Sequence, residues 1–329
     1  MIYLKLFKDF ILFEKDHDWE LGNATLYEKG LTDGLPVFLP TMEKMEEMLD
    51  FTAKNQTYGQ VPPGYRDLTP ANVAYNAILA GCKPQEFPVV LTAVVASTKN
   101  QFNLLGIQTT TGTPTTAVMI HGPVIQRLGL NHGTNCLGPG NRVNASIGRA
   151  VRLSLMNIGA AYPGQTDMAT MGQPGKYTFC FAESPENFFI PSFHTRKGLS
   201  ANESAVTVIG VSGTVEIYDT SSQPQSILNT IIENVYTGKK NSHSSHNPYI
   251  GSGELFLLIP PEIIQRFDAS EWSLKQIQQY IYNHSNARLQ IAKSPDHIYP
   301  VITGGLGIKM TYLQTWAGGT EAVTMPLIA

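Results

Sequence analysis

A loop rich in glycine and asparagine runs directly into an amphipathic helical segment, and this stretch constrains the fold most strongly. The loop, GLNHGTNCLGPGN, begins at Gly129, and apolar residues at helical spacing follow it. These are Val143, Ile147, Val151, Leu155 and Ile158. Glycine lets the backbone bend sharply, and the first N–H groups of a helix have no partner inside the helix. Because such a loop can present free amides to an anion, we expect the active or binding site here.

Helical and strand-like patterns alternate along the rest of the chain. Thr41 and the pair Thr69–Pro70 are typical helix starts, because threonine caps the first turn and proline fits the first helical position. Methionines at helical spacing after Thr41 are interpreted as core residues. Apolar runs such as TTAVMIH and ELFLLI predict buried strands. Strands are also predicted at NLLGIQT, SAVTVIG and GTVEIYDT, whereas FPVVLTAVVASTKN is interpreted as a helix, with a buried strand as the alternative. The predicted fold is α/β, or α+β, with a mixed sheet, flanking helices and two lobes.

The predicted division of the chain follows proline- and glycine-rich connectors. Residues 1–60 form a strand-rich or irregular N-terminal arm followed by a helix. Residues 61–183 form a first α/β lobe that carries the glycine-rich loops, and residues 202–329 form a second α/β lobe. The segment between the lobes is rich in proline, asparagine and aromatic residues, so it is interpreted as a linker or covering loop.

Two segments far apart in the chain resemble each other. TTAVMIHGPVIQRLG and GELFLLIPPEIIQRF each place an apolar strand before a proline and then a helix that carries Gln-Arg. In both halves a further helix follows. A weak duplication of one strand–helix unit explains the similarity, and chance similarity is the alternative.

The composition excludes several classes of function. The chain is 42% hydrophobic and 15% charged with a formal net charge of −3, so we expect neither nucleic acid nor an anionic membrane as a partner. Such a low proportion of charged residues is expected of a protein with a large core or a large subunit interface, and a homo-oligomer is one expected assembly. Charged residues interrupt the apolar N-terminus, and three scattered cysteines form no disulfide pattern. A soluble, cytoplasmic protein is expected.

The loop Asn131–Asn144, called the first loop below, supplies most of the predicted substrate contacts. Its asparagines offer amide groups, its glycines allow close backbone approach, and one arginine adds positive charge for a carboxylate or phosphate. The predicted binding residues are Asn135, Gly138, Gly140, Asn141, Arg142 and Asn144. The alternative is a loop that needs glycine only for its turns and asparagine only for capping.

Two further segments are predicted to wall the same pocket. The threonine turn contributes the hydroxyls of Thr109–Thr111, although β-branched residues are also common in strands and turns. The segment DMATMGQPGKY, residues 167–177 and called the second loop below, contributes Gln173 and Lys176 to binding. Its Asp167 would orient a histidine or act as a base, and the alternative role is to cap a turn.

The predicted catalytic residues are Cys82, His132 and Asp167. A histidine can transfer protons near neutral pH, and a thiol can act as a nucleophile where its pKa is lowered. Cys82 lies at the predicted C-terminus of a helix, where the helix dipole disfavours a thiolate. Histidine and cysteine spacings match no metal-binding motif, including the pair His243 and His246, so no metal site is assigned and the cofactor is unknown.

Several stretches resemble one bacterial protein family. They are NAILAGCKPQEFPVVLTAVVA, GPGNRVNASIGRA, GQTDMATMGQPGKYTFCFAE and the PPEIIQRF segment. This family resembles the N-terminal partner, separate or fused, of small (seleno)proteins that bear a U/C-G-S-C motif, and the resemblance covers most of residues 60–329. It implies an association with thiol or selenol chemistry. No CGSC occurs in this chain, so the redox motif would lie on a small partner protein.

These observations lead to two hypotheses of different classes. The first is an enzyme that acts on a small anionic organic molecule, either a lyase or hydratase or a thiol-dependent reductase subunit. The second is a non-catalytic scaffold or partner subunit of a thiol/selenol redox complex, whose low charge reflects burial against its partner. The sequence leaves the choice between the two reactions open.

Overall fold

The computed structural model describes residues 9–50, 56–186, 188–237, 249–285 and 290–328. Within these ranges there are eleven α-helices. They are α1 (Trp19–Glu28), α2 (Met42–Leu49), α3 (Pro70–Leu79), α4 (Phe87–Ser97), α5 (Leu104–Thr109), α6 (Val124–Leu128), α7 (Arg142–Gly159), α8 (Phe193–Arg196), α9 (Pro224–Thr237), α10 (Pro261–Ala269) and α11 (Leu274–Asn283). The polar segment predicted around His243 and His246 lies outside the described residues.

The described residues form nine strands, which belong to two sheets of very different size. The strands are β1 (Gln60–Val61), β2 (Arg66–Asp67), β3 (Thr115–His121), β4 (Cys180–Ala182), β5 (Ala205–Tyr218), β6 (Leu255–Ile259), β7 (Ile298–Ile302), β8 (Lys309–Thr315) and β9 (Val323–Pro326). β1 and β2 form a two-stranded sheet. The other seven form a mixed sheet in the order β4-β3-β5-β8-β6-β7, with β9 also pairing with β5. The predicted α/β fold with a mixed sheet and flanking helices is therefore confirmed.

The large sheet consists of two units with the same topology. In the first unit β3 pairs in parallel with β4 and antiparallel with β5. In the second unit β6 pairs in parallel with β7 and antiparallel with β8. Two helices connect each parallel pair, and β5 and β8 join the units through an antiparallel ladder. The two similar sequence segments therefore occupy equivalent positions, at β3–α6 and β6–α10.

The sheet curls so that its two outermost strands meet at their ends. The Ser184 N–H donates to the Ile302 carbonyl at 2.7 Å, and the Thr303 hydroxyl donates to the Ala182 carbonyl at 2.8 Å. Strands from both predicted lobes thus share one continuous sheet. Two separate lobes are not confirmed.

Side chains alternate between the two faces of the curled sheet and build three apolar cores. On β3, Ala117 and Met119 belong to a core enclosed by the sheet, whereas Val118 and Ile120 pack against helices outside it. The enclosed core takes residues from all six strands of the main order, including Phe256 on β6. This period of two positions places His121 at the end of the enclosed core.

Helix starts agree with the cap residues in the sequence. The Thr41 hydroxyl accepts from the Lys44 N–H at α2, and the Thr69 hydroxyl accepts from the Asn72 N–H at α3. Met45 and Met48 of α2 are buried, as expected for core residues. The apolar segment of α4, for which a buried strand was the alternative, is a helix that is buried over almost all of its length.

Three local predictions were wrong. The N-terminal arm contains the helix α1, whose first turn is capped by the Asp18 carboxylate. The segment NLLGIQT, predicted as a strand, forms α5, because the Asn103 side chain caps its first turn and Ile107 follows Leu104 at helical spacing. The two strands predicted between residues 204 and 220 are a single strand, β5, with a register shift between Val211 and Gly213. The shift lets one long strand serve both units.

No helix among the described residues is both long enough and apolar enough to cross a membrane.

Candidate functional site

The first loop borders an open cavity at the N-terminus of α7. The Asn141 carboxamide caps the helix by accepting from the Asn144 N–H at 3.0 Å, and it donates to the Gly129 carbonyl at 3.0 Å. In front of this turn lies a space of about 580 Å³, called the first-loop cavity below. Its lining residues include Gly129, His132, Asn135, Gly140 and Asn141. The predicted hollow beside Asn141 therefore exists.

The asparagines of the first loop use their amides to hold the loop itself. The buried Asn144 side chain accepts from the Asn131 N–H and donates to the Asn131 carbonyl, both at 2.9 Å. Asn135 has a positive φ of 59° and donates to the Pro139 carbonyl at 2.7 Å. A Cβ on Gly138 would lie 2.2 Å from the Asn135 amide oxygen, so any larger residue would require the Asn135 side chain to shift. These bonds favour a structural role for Asn144 and Gly138.

Arg142 points away from the first-loop cavity. Its guanidinium forms a two-pronged ion pair with the buried Glu86 carboxylate and donates to the Gly81 carbonyl at 3.2 Å. The hydrogen bonds to Glu86 raise the pKa of Arg142. Arg142 lines neither of the two described cavities. The positive charge that the sequence suggested for the first loop is therefore neutralised elsewhere.

The three cysteines are buried and favour the neutral thiol. Burial raises the pKa of Cys82 well above its ordinary value, and the Glu86 carboxylate raises it further. Burial also raises the pKa of Cys180 and of Cys136, although a hydrogen bond from Thr303 partly offsets the effect on Cys136. A nucleophilic thiolate at Cys82 gains no support from this environment, since reactive cysteines lie in exposed, electropositive surroundings.

His132 borders the first-loop cavity, and its backbone is fixed by the second topological unit. Its carbonyl accepts from the Gly304 N–H at 2.9 Å, and the Thr303 hydroxyl oxygen lies 3.2 Å from it. The loop therefore stays attached to the end of β7. His132 is the one predicted catalytic residue that faces this cavity among the residues described.

The second loop borders a larger cavity of about 1000 Å³, called the second-loop cavity below. Asp167 lies on its wall and accepts from two cations. Lys176 Nζ lies 2.8 and 2.7 Å from the two Asp167 carboxylate oxygens, and Arg152 Nη2 lies 3.1 Å from one of them. All three side chains are largely buried. Burial lowers the pKa of both Arg152 and Lys176, since the charged forms lose hydration.

The charges around the second-loop cavity leave an excess positive charge. Asp33 on its wall is neutralised by a two-pronged ion pair with Arg149, with both N···O distances at 2.8 Å. The exposed pair Glu28 and Lys29 balances in formal charge. The group formed by Arg152, Asp167 and Lys176, called the Asp167 triad below, therefore carries one net positive charge.

Gln173 and the threonine turn brace the second loop. The Gln173 amide donates to the carbonyls of Thr113 at 2.5 Å and Val211 at 3.0 Å. The Thr111 carbonyl accepts from the Thr170 N–H at 2.9 Å.

The hydroxyls of Thr109 and Thr110 bond to backbone groups close to them in the chain. Thr109 donates to the Leu105 carbonyl and Thr110 accepts from the Gly112 N–H. None of Thr109–Thr111 lines either described cavity. Neither described cavity therefore receives a row of hydroxyls from this turn.

The two glycine-rich loops do not wall one pocket among the residues described. The first-loop cavity lies at the start of α7, whereas the second-loop cavity is lined by Arg152 and Met156, further along the helix. No residue lines both. The predicted site residues are therefore divided, with His132, Asn135, Gly140 and Asn141 at one cavity and Asp167, Gln173 and Lys176 at the other.

Sequence reasoning missed a buried polar cluster at the end of the enclosed core. His121 Nδ1 lies 2.8 Å from a Glu183 carboxylate oxygen, and His121 Nε2 lies 2.8 Å from the Thr207 hydroxyl. His194 stacks beside His121 with ring centroids 5.4 Å apart. Glu183 follows β4, which is parallel to β3, but His194 comes from the short helix α8, so no spacing in the sequence connects them.

Comparisons with protein-family models, with curated proteins and with solved structures found no match for this chain.

Proposed function

We propose that this chain is an enzyme that acts on a small organic anion bound in the second-loop cavity. The observation that supports this is the Asp167 triad, in which two largely buried cations share one carboxylate on the cavity wall. Positive charge that is removed from water and only partly compensated favours an anionic ligand. A carboxylate that reaches Arg152 and Lys176 would supply the missing countercharge.

The apolar part of the same cavity favours an organic anion over a bare inorganic ion. Met156, Tyr162 and Tyr177 line the space beside the triad. A cavity of this size with a few converging polar groups is typical of small-molecule sites. The expected ligand class is a carboxylate with an aliphatic or aromatic body.

Lyase or hydratase chemistry is favoured over a thiol-dependent reduction. Lys176 has a pKa lowered by burial, so its ammonium, which is charged when it binds the anion, is a stronger proton donor to a leaving group of the bound substrate. Asp167, 2.7 Å away, holds that ammonium in place. None of the described residues lining this cavity is a cysteine, so a thiol-dependent reaction would need the sulfur of a partner.

A matched pair of lysine variants tests the proposal. In Lys176→Met the ammonium is lost and the stem retained, and we expect affinity for the best ligand in a panel of mono- and dicarboxylates to fall ~10-fold or more by calorimetry. Lys309→Met serves as the control, because Lys309 pairs with Glu216 on the exposed sheet surface. Equal affinity in both variants, or no carboxylate binding by the wild type, would contradict the proposal.

The second candidate is a subunit that docks a partner protein at the second loop. Met168, Met171 and Tyr177 are exposed there, with Met171 89% exposed. Apolar groups clustered on a surface often mark a protein contact. The sequence resemblance suggests a small CGSC or UGSC partner. Size measurements on the chain alone and after co-expression test this role, and turnover by the isolated chain would exclude a purely structural one.

A further inference from the structure

Three buried side chains from different elements place potential metal ligands together. His121 ends β3, Glu183 follows β4, and His194 lies in α8. Each offers a ligand atom, and these three atoms all lie within 4.8 Å of one another. All three residues are at most 3% exposed. Two imidazoles and one carboxylate form a donor set that proteins use for transition metals.

The surroundings of His121 orient its ring as they would for a metal ligand. Its Nε2–H can donate to the Thr207 hydroxyl at 2.8 Å, and Thr207 lies 2.9 Å from the Thr324 hydroxyl. In this tautomer Nδ1 carries a lone pair that faces the Glu183 carboxylate at 2.8 Å. Two lone-pair donors this close need a proton or a cation between them. Glu183 is itself held by the Phe193 N–H, 2.9 Å from each oxygen.

Unlike His121, the His194 ring is not held by hydrogen bonds to other described residues. It is 2% exposed, yet neither ring nitrogen has a hydrogen-bond partner among the residues that the structure describes. Burying an imidazole without a partner is costly, and such groups in native proteins usually have a functional reason. Burial lowers the pKa of His194, the neighbouring His121 lowers it further, and the Glu183 carboxylate only partly offsets this. The neutral imidazole that results is the form that ligates metals.

We propose that His121, Glu183 and His194 bind one divalent transition-metal ion of the Zn²⁺ class. The ion would link β3, the end of β4 and α8, and so fix the segment that leads into β5. This site is distinct from the second-loop cavity and does not depend on the function proposed for it. It also departs from the sequence-based expectation, which assigned no metal ligands.

The nearby charges define which ions can bind. Arg196 interacts with Glu183, and its positive charge opposes any cation. A hard ion such as Mg²⁺ or Ca²⁺ needs several charged or carbonyl oxygens, and this site has one carboxylate. Nitrogen ligands favour Zn²⁺, Co²⁺ or Ni²⁺ instead.

Metal binding to the whole, untagged chain tests the proposal directly. After chelator treatment and dialysis, we expect uptake of about one Zn²⁺ per chain, a rise in melting temperature of ~2 °C or more, and the visible absorption of a low-symmetry site when Co²⁺ replaces Zn²⁺. Mg²⁺ should produce none of these changes. Absence of stoichiometric Zn²⁺ uptake and of the Co²⁺ spectrum would overturn the proposal.

The variant His194→Phe separates a ligand from a packing residue. Phenylalanine retains the ring that stacks on His121 and removes both buried nitrogens. Loss of the Zn²⁺-dependent shift is expected, with little loss of stability in the metal-free form. His284→Phe is the control, since His284 is an exposed imidazole stacked on Tyr280. Equal Zn²⁺ binding by wild type and His194→Phe would contradict the assignment. If that variant does not fold, the wild-type Co²⁺ spectrum alone decides.

Discussion

The two glycine-rich loops have similar compositions, but the positive charges beside them are compensated differently. At the first loop, Arg142 is matched by the single carboxylate of Glu86 outside the cavity, and the asparagines bind the loop backbone. At the second loop, Arg152 and Lys176 share Asp167 on a cavity wall. A loop rich in polar residues therefore indicates a binding site only when its charges remain incompletely matched beside open space.

The largest expected effect is that of removing the Asp167 carboxylate, which Arg152 and Lys176 share. In Asp167→Asn two largely buried cations lose their counter-ion, and we expect a loss of ~3 kcal/mol in the free energy of unfolding. The same change should strengthen carboxylate binding in the second-loop cavity, since the ligand no longer competes with Asp167. Urea denaturation with and without the best carboxylate measures both quantities. Weaker anion binding in a folded variant would show that Asp167 contributes otherwise than proposed.

An intermediate effect is expected at the first loop. Arg142→Ala removes the partner of the buried Glu86, but the Arg142 side chain is 45% exposed, so water weakens the pair and the expected loss is only about 1 kcal/mol. Affinity for a carboxylate should remain unchanged, because Arg142 lines neither described cavity. Denaturation and calorimetry on the same preparation test this. Weakened ligand binding in a stably folded variant would return the anion site to the first loop.

The smallest effect is expected for the reaction of thiol reagents with the cysteines of the native protein. Burial raises the pKa of Cys82, Cys136 and Cys180, so little thiolate forms near neutral pH. A thiol-specific chromogenic reagent should react slowly with native protein, and faster only at high pH or after denaturation. Because the folded pKa values lie above the unfolded ones, these thiols also reduce stability as pH rises past the unfolded pKa. Rapid reaction of Cys82 at neutral pH would restore it as a catalytic candidate.

The sequence predicted the fold wherever local signals and tertiary packing agree. Thr41, Thr69 and Pro70 start helices because capping is a local effect, and the buried strand before Gly122 follows from its unbroken apolar run. The segment NLLGIQT was misassigned, since a cap at Asn103 outweighs the apolar run.

The candidate site was only partly predictable. The sequence predicted Asp167, Gln173 and Lys176 of the second loop as site residues. It did not predict that Arg152 of α7, 15 positions before Asp167, would pair with that carboxylate. The ion pair of Arg142 with Glu86 spans 56 positions, and no helical or strand period specifies such a contact. The cluster at His121 requires three separate elements to converge. Spacing in the sequence cannot report that convergence.

The antiparallel ladder between β5 and β8 is the contact through which the two units form one sheet. Antiparallel pairing of two equivalent strands is the contact that two identical subunits make around a twofold axis. One unit alone, from β3 through β5, exposes the edge of β5 that β8 covers in the whole chain. A fragment limited to that unit would be expected to self-associate through β5, so that two copies of one half rebuild a sheet which a single polypeptide normally completes.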